Sequence, residues 1–203
     1  MHTFYKKPAT TPISLIAIGS STGGTEALTA VLTQLKPPLP PIVIVQHIPP
    51  VFSQMLADRL NSECEIIVKE GSSGESLLQN HAYIAPGGKH MTINVAGGIM
   101  QLDCAAGPPV HSVCPSVDVL FNSIAKNVKR HVLGIILTGM GKDGAAGLLH
   151  LREQGAHTIG QNKETCAVYG MPKAAYELGA VMKQLPLSSI APAIMNTVKK
   201  YSL

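Results

Sequence analysis

The chain has 203 residues, 45% of them hydrophobic and only 14% charged, with a formal net charge of +4 and no tryptophan. That supplies one good core, makes a single domain the expectation and excludes a disordered chain. Its lysines and arginines are scattered, apart from Lys129-Arg130 and Lys199-Lys200, and aromatics are only 4%, which argues against a nucleic-acid binder and its basic, aromatic-studded stripe.

Residues 1–12, ending Lys6-Lys7-Pro8-Ala9-Thr10-Thr11-Pro12, read as a tail or linker remnant, with the folded domain spanning 13–203. The first apolar run, Ile13–Ile18, is shorter than the ~7–15 residues of a signal h-region. No run approaches the ~18 apolar residues of a membrane span, so no membrane insertion is expected. Strands are predicted at Ile13–Ile18, Ile42–Val45, Ile66–Val68, Tyr83–Ala85, Leu133–Leu137, Thr158–Ile159 and Val181–Met182. Helices are predicted at Thr25–Leu35, Phe52–Leu60, Ser116–Lys129, Gly144–Glu153, Lys173–Leu178 and Ser188–Lys200. Leu28, Val31, Leu32 and Leu35 form an i, i+3, i+4, i+7 stripe.

This alternation predicts an α/β fold, a doubly wound and mainly parallel sheet with helices on both faces. Two alternating runs around Ala96-Gly97-Gly98 predict an antiparallel β-hairpin added to that sheet. The cysteines Cys64, Cys104, Cys114 and Cys166 show no C-x-x-C spacing. They read as reduced, mostly buried and cytosolic.

Three predicted strands end in reactive side chains. Gly19-Ser20-Ser21-Thr22-Gly23-Gly24 closes the first strand and opens a helix, and Gly19-x-Ser21-x-Gly23 fits the nucleophile pattern G-x-S-x-G. His47 ends the second strand, where Pro49 stops it continuing centrally. Asp143 lies in the Gly-rich turn after Leu133–Leu137. A serine hydroxyl needs a base, and the base an orienting carboxylate, and these three residues supply those roles at one edge of a sheet.

Other readings stand beside this one. Ser21 could serve only its own turn; Ser20 is a rival nucleophile; Asp143 could merely cap the following helix. Asp118, in Pro115-Ser116-Val117-Asp118, sits where an acid favours the helix dipole. His90 is a second candidate histidine in a loop near the site. Neither Gly-rich turn is a P-loop, and no His/Cys/Asp cluster has metal spacing.

Six segments together, Ile18–Ala27, Gln46–Pro49, Tyr83–Met91, Pro115–Phe121, Leu137–Ala145 and Tyr169–Pro172, resemble the catalytic domain of the chemotaxis methylesterase CheB. The resemblance covers residues 13–200 and implies a doubly wound α/β fold. It implies hydrolysis of glutamyl methyl esters on methyl-accepting chemotaxis receptors, with deamidation of particular receptor glutamines. It carries the family's triad onto Ser21, His47 and Asp143, and residues close to the triad, with an oxyanion or substrate-orienting role, onto Thr22 and Met140. The family usually has alanine at Ser20, which favours Ser21 as nucleophile. No cofactor or metal, a cytoplasmic location and no nucleic-acid partner are implied. The usual member begins with a receiver domain; only about a dozen residues precede the first strand here, so that domain is expected to be absent from this chain. The alternatives are a catalytically idle receptor-docking domain and a small-molecule ester hydrolase.

Overall fold

Alternating side chains on the first strand divide the molecule into two cores. In the computed structural model, which describes residues 11–129 and 131–201, Ile16 and Ile18 pack on one face of strand β1 (Ile13–Ser20) and Leu15 and Ala17 on the other, all fully buried. The predicted tail, apart from Thr11 and Pro12, lies outside the described residues.

The remaining elements follow in βα alternation. They are α1 (Gly24–Leu32), β2 (Ile42–Gln46), α2 (Phe52–Glu63), β3 (Ile67–Glu70), β4 (His81–Ile84), β5 (His90–Ala96), β6 (Ile99–Ala105), α3 (Val117–Asn127), β7 (His131–Ile136), α4 (Ala145–Glu153), β8 (His157–Gln161), α5 (Met171–Glu177), β9 (Lys183–Leu185) and α6 (Leu187–Tyr201). Seven strands form one parallel sheet in the order β3-β4-β2-β1-β7-β8-β9. Helices α1, α2 and α6 cover one face, and α3, α4 and α5 the other.

The chain therefore places β2, β3 and β4 on one side of β1 and then β7, β8 and β9 on the other. Strand order reverses at β1, and open α/β sheets bind their ligands at the carboxyl ends of the strands at such a reversal. Ser21, His47 and Asp143 follow β1, β2 and β7, the three strands that meet there.

The hairpin forms, with Gly97 and Gly98 both at positive φ (58° and 81°) in its two-residue turn. It does not extend the main sheet, however. Strands β5 and β6 make a separate two-stranded sheet, because Met91, Ile93 and Leu102 are buried in the core under α3. Ser123 Oγ accepts the Ile93 N–H at 3.0 Å and the Asn127 amide donates to the Ile93 carbonyl at 2.8 Å, tying the hairpin to that helix.

Two boundaries shift for identifiable reasons. The last strand is β9 rather than Val181–Met182, because Val181 instead packs over the backbone of Gly160. Helix α5 starts at Met171, with Pro172 in its first turn, where a missing N–H costs nothing. The four cysteines are free, but each is half-buried rather than mostly buried; Cys64 and Cys104 lie at core margins. No helix among the described residues is long and apolar enough to cross a membrane.

Candidate active site

Register brings the serine and histidine together. Ser20 of β1 pairs with Gln46 of β2, and the His47 N–H donates to the Ser20 carbonyl at 3.1 Å. Ser21 and His47 each lie one residue beyond that last pair. On the other side the Ser21 N–H donates to the Thr138 carbonyl at 3.0 Å, which fixes the serine turn against the loop after β7. Gly23 closes the turn at φ 76° and precedes α1, a conformation that a side chain would strain. Gly24 leaves room for Gln46; a Cβ there would lie 2.0 Å from Gln46 Oε1.

Asp143 is 2% exposed, and its carboxylate is fully engaged. Oδ2 takes His47 Nε2 at 2.8 Å and the Val117 N–H at 2.6 Å. Oδ1 takes the Ser116 hydroxyl at 2.7 Å and the Asp118 N–H at 3.1 Å. Asp143 thus caps α3, a different helix from the one that follows it, whose N-cap is Gly144. Burial pushes its carboxyl upward most strongly. The hydrogen bonds from His47, Ser116, Asp118 and Val117 together outweigh that push and hold it below the usual carboxylate range.

His47 spends Nε2 on this carboxylate, and Nδ1 has no hydrogen-bond partner among the described residues. Ser21 Oγ likewise makes no hydrogen bond among them. Both residues line one cavity of about 520 Å³, with Thr22, Met140, Lys142 and Asp143. The amides of Thr22 and Met140 have no backbone acceptor among the described residues. Ser21, His47, Thr22 and Met140 thus line one cavity, and the Asp143 carboxylate bonds the Nε2 of that histidine.

Gln46 was not a candidate in the sequence, yet it joins the two turns. It is 4% exposed. Its side-chain amide donates to the Ser21 carbonyl at 2.9 Å and to the His47 carbonyl at 3.0 Å, while Oε1 accepts the Ser20 hydroxyl at 2.7 Å. Ser20 is fully buried in this bond, which removes it as a rival nucleophile. Replacing Gln46 by Leu strips two carbonyls and one hydroxyl of their partner. The variant should lose about 1–3 kcal/mol of stability and about 10–100-fold in turnover. Chemical denaturation and an esterase assay measure the two effects.

The facing wall carries a second histidine–carboxylate pair that the sequence did not single out. His111 Nε2 lies 2.9 Å from Asp118 Oδ2, and Asp118 Oδ1 accepts the Gly147 N–H at 2.6 Å. Asp118 thus caps α4 from α3, while Asp143, just ahead of α4, caps α3. Both acids act across to a neighbouring helix as well as near their own. His90 is held elsewhere: Nε2 donates to the Pro108 carbonyl at 3.0 Å and Nδ1 accepts the Ser116 N–H at 3.2 Å.

His111, Asp118 and Asp143 place possible ligand atoms within 4.8 Å of one another, the one such group among the described residues. Each carboxylate oxygen there already accepts at least one donor. Asp143 accepts four donors and Asp118 two, so both carboxylates serve as helix caps here. A further cavity of about 570 Å³ lies at the amino ends of β7 and β8 under α6 and offers no paired nucleophile and base.

Comparison with known proteins places the chain in a family. The profile of the CheB methylesterase family matches residues 16–194. A protein-glutamate methylesterase/protein-glutamine glutaminase of Salmonella typhimurium is 49% identical over 184 residues, covering 91% of this chain and 53% of the relative. The protein of that name from Escherichia coli K12 is 48% identical over the same length and shares. The chain thus spans about half the length of these relatives. The crystal structure of the Thermotoga maritima CheB methylesterase catalytic domain superposes with a TM-score of 0.88 at 37% identity, covering 91% of this chain and 98% of that one.

Proposed function

The chain belongs to the CheB methylesterase family, and from that premise we propose that it hydrolyses glutamyl methyl esters on methyl-accepting chemotaxis receptors and deamidates receptor glutamines. In this reading residues 13–203 form the methylesterase domain, acting in the cytoplasm. The observation that carries the chemistry is the His47–Asp143 pair at 2.8 Å, opening onto the cavity that Ser21 also lines.

Ser21 Oγ attacks the γ-carbonyl carbon of the ester, and His47 Nδ1 takes the hydroxyl proton. Asp143 holds the Nε2–H tautomer and stabilises the imidazolium. The carbonyl oxygen becomes an oxyanion and is met by the amides of Thr22 and Met140; one such donor is worth about 3–4 kcal/mol. Collapse breaks the bond to the methoxy oxygen, which leaves as methanol with the proton from Nδ1. Water, deprotonated by the same nitrogen, then releases the glutamate and restores Ser21. With a glutamine substrate the leaving group is ammonia.

The test is methanol release from methylated receptor membranes incubated with the purified chain. Release should exceed the enzyme-free control. Receptor binding without methanol would identify an idle docking domain instead.

A further inference from the structure

The catalytic cavity does not end at the triad. His111 and Lys142 line both it and a neighbouring cavity of about 490 Å³, so the two cavities adjoin at these side chains. The second part runs over Ala145 and Ala146 at the start of α4 toward Ala174, Glu177 and Leu178 of the α5 region. Its floor is of small side chains, which allows another backbone to approach closely, and Leu178 is 49% exposed at its far end. Met140, 74% exposed, stands at the other end.

The wall of this groove is tied by hydrogen bonds of its own. His111 and Ser112 hold positive φ (51° and 64°), an uncommon backbone state for such residues. The turn is closed by Val110 and Val113, whose amides donate to each other's carbonyls at 3.0 Å. Asp118 anchors the His111 ring. By contrast, the ammonium of Lys142, exposed between the two cavities, makes no ion pair or hydrogen bond among the described residues. Glu177 is already engaged by Lys173 at 3.7 Å.

A small ester needs only the first cavity. A glutamyl ester on a protein brings its own backbone and flanking side chains, which must lie against something next to Ser21. We propose that the groove from Met140 to Leu178 seats the segment of the substrate protein that carries the reactive glutamyl side chain, with Lys142 pairing with an acidic side chain of that segment. This rests on the methylesterase reading above. The residues that the second cavity shares with the catalytic one argue for the substrate itself as occupant, and the unpaired cation supplies the charge preference.

The experiment compares wild type with Ala146→Glu and Lys142→Ala on two substrates, methylated receptor and p-nitrophenyl acetate. Ala146 is exposed near the amino end of α4, where a glutamate suits the helix dipole yet obstructs the groove and repels an acidic segment. Ala146→Glu should raise KM for receptor about tenfold with kcat little changed, the signature of lost uniform binding. Its hydrolysis of p-nitrophenyl acetate should stay within about twofold of wild type. Lys142→Ala should raise KM for receptor severalfold at low salt, and the difference from wild type should vanish at high salt. An unchanged receptor KM in Ala146→Glu would overturn the groove, as would equal losses on both substrates. A wild-type chain that cleaves p-nitrophenyl acetate but releases no methanol from receptor would remove the methylesterase reading itself, and the groove with it.

Discussion

Ser21→Ala should abolish methanol release, lowering turnover by about 10⁴–10⁶ while the fold is retained. The hydroxyl makes no hydrogen bond among the described residues, and its side chain is only half-buried, so its loss costs little stability. What disappears is the covalent route. The free amides of Thr22 and Met140 remain and should sustain a residual acceleration over water, as in triads stripped of their nucleophile. His47→Ala should fall to a similar level, and the double variant should be no worse than either, because the residues act as one unit. Ser20→Ala is the control. Its hydroxyl is buried against Gln46, so it should lose some stability and keep most of its activity. Methanol release by the four purified variants decides this. Activity in Ser21→Ala together with inactivity in Ser20→Ala would move the nucleophile by one residue.

Asp143→Ala should cost both activity and fold. Removing the carboxylate leaves the Ser116 hydroxyl and the Val117 and Asp118 amides without their acceptor in the interior. Buried unsatisfied donors cost about 1–3 kcal/mol each and do not simply add, so a loss of about 3–5 kcal/mol is expected from denaturant midpoints. Asp143→Asn keeps one acceptor and the shape. It should unfold less readily than Asp143→Ala yet lose turnover by about 10⁴, because an amide cannot hold the histidine tautomer or stabilise the imidazolium.

The pH dependence gives an independent readout. The folded carboxyl is held below its unfolded value, so its contribution to stability is fully present above the unfolded carboxylate pKa, about 3.9. It is lost as pH falls through the lower, folded value. The stability gap between wild type and Asp143→Ala should therefore be constant above about pH 5 and narrow below about pH 4. A gap that persisted unchanged to pH 2 would mean that the Asp143 carboxyl titrates alike in the folded and unfolded chain.

Much of the architecture is a local property of the chain. Strand β1 is legible because Leu15, Ile16, Ala17 and Ile18 form an apolar run closed by a Gly-rich turn, and a strand needs only its own residues to show that pattern. The Gly97-Gly98 turn is legible because two consecutive positive φ angles suit glycine and little else. Ser21, His47 and Asp143 are legible as candidates because each stands where an apolar strand ends, and strand ends announce themselves in the nearest few residues. The alternation of elements then confines those ends to one edge of a parallel sheet.

Who bonds to whom is a different kind of information, and only the tertiary structure decided it. Asp143 meets His47 across 96 positions and Ser116 across 27, and Gln46 meets Ser21 across 25. These partnerships depend on β1 lying between β2 and β7, on the one-residue register that sets Ser20 beside Gln46, and on α3 presenting its amino end to the loop after β7. Nothing in Gln46 or Asp118 alone distinguishes a surface polar residue from one that ties two turns or caps a neighbouring helix. The hairpin makes the same point. Its turn and alternation are written locally, but its separation from the main sheet follows from Met91, Ile93 and Leu102 finding their burial under α3. Backbone conformation responds to the residues that carry it; hydrogen-bond partners and burial respond to whatever the fold brings alongside.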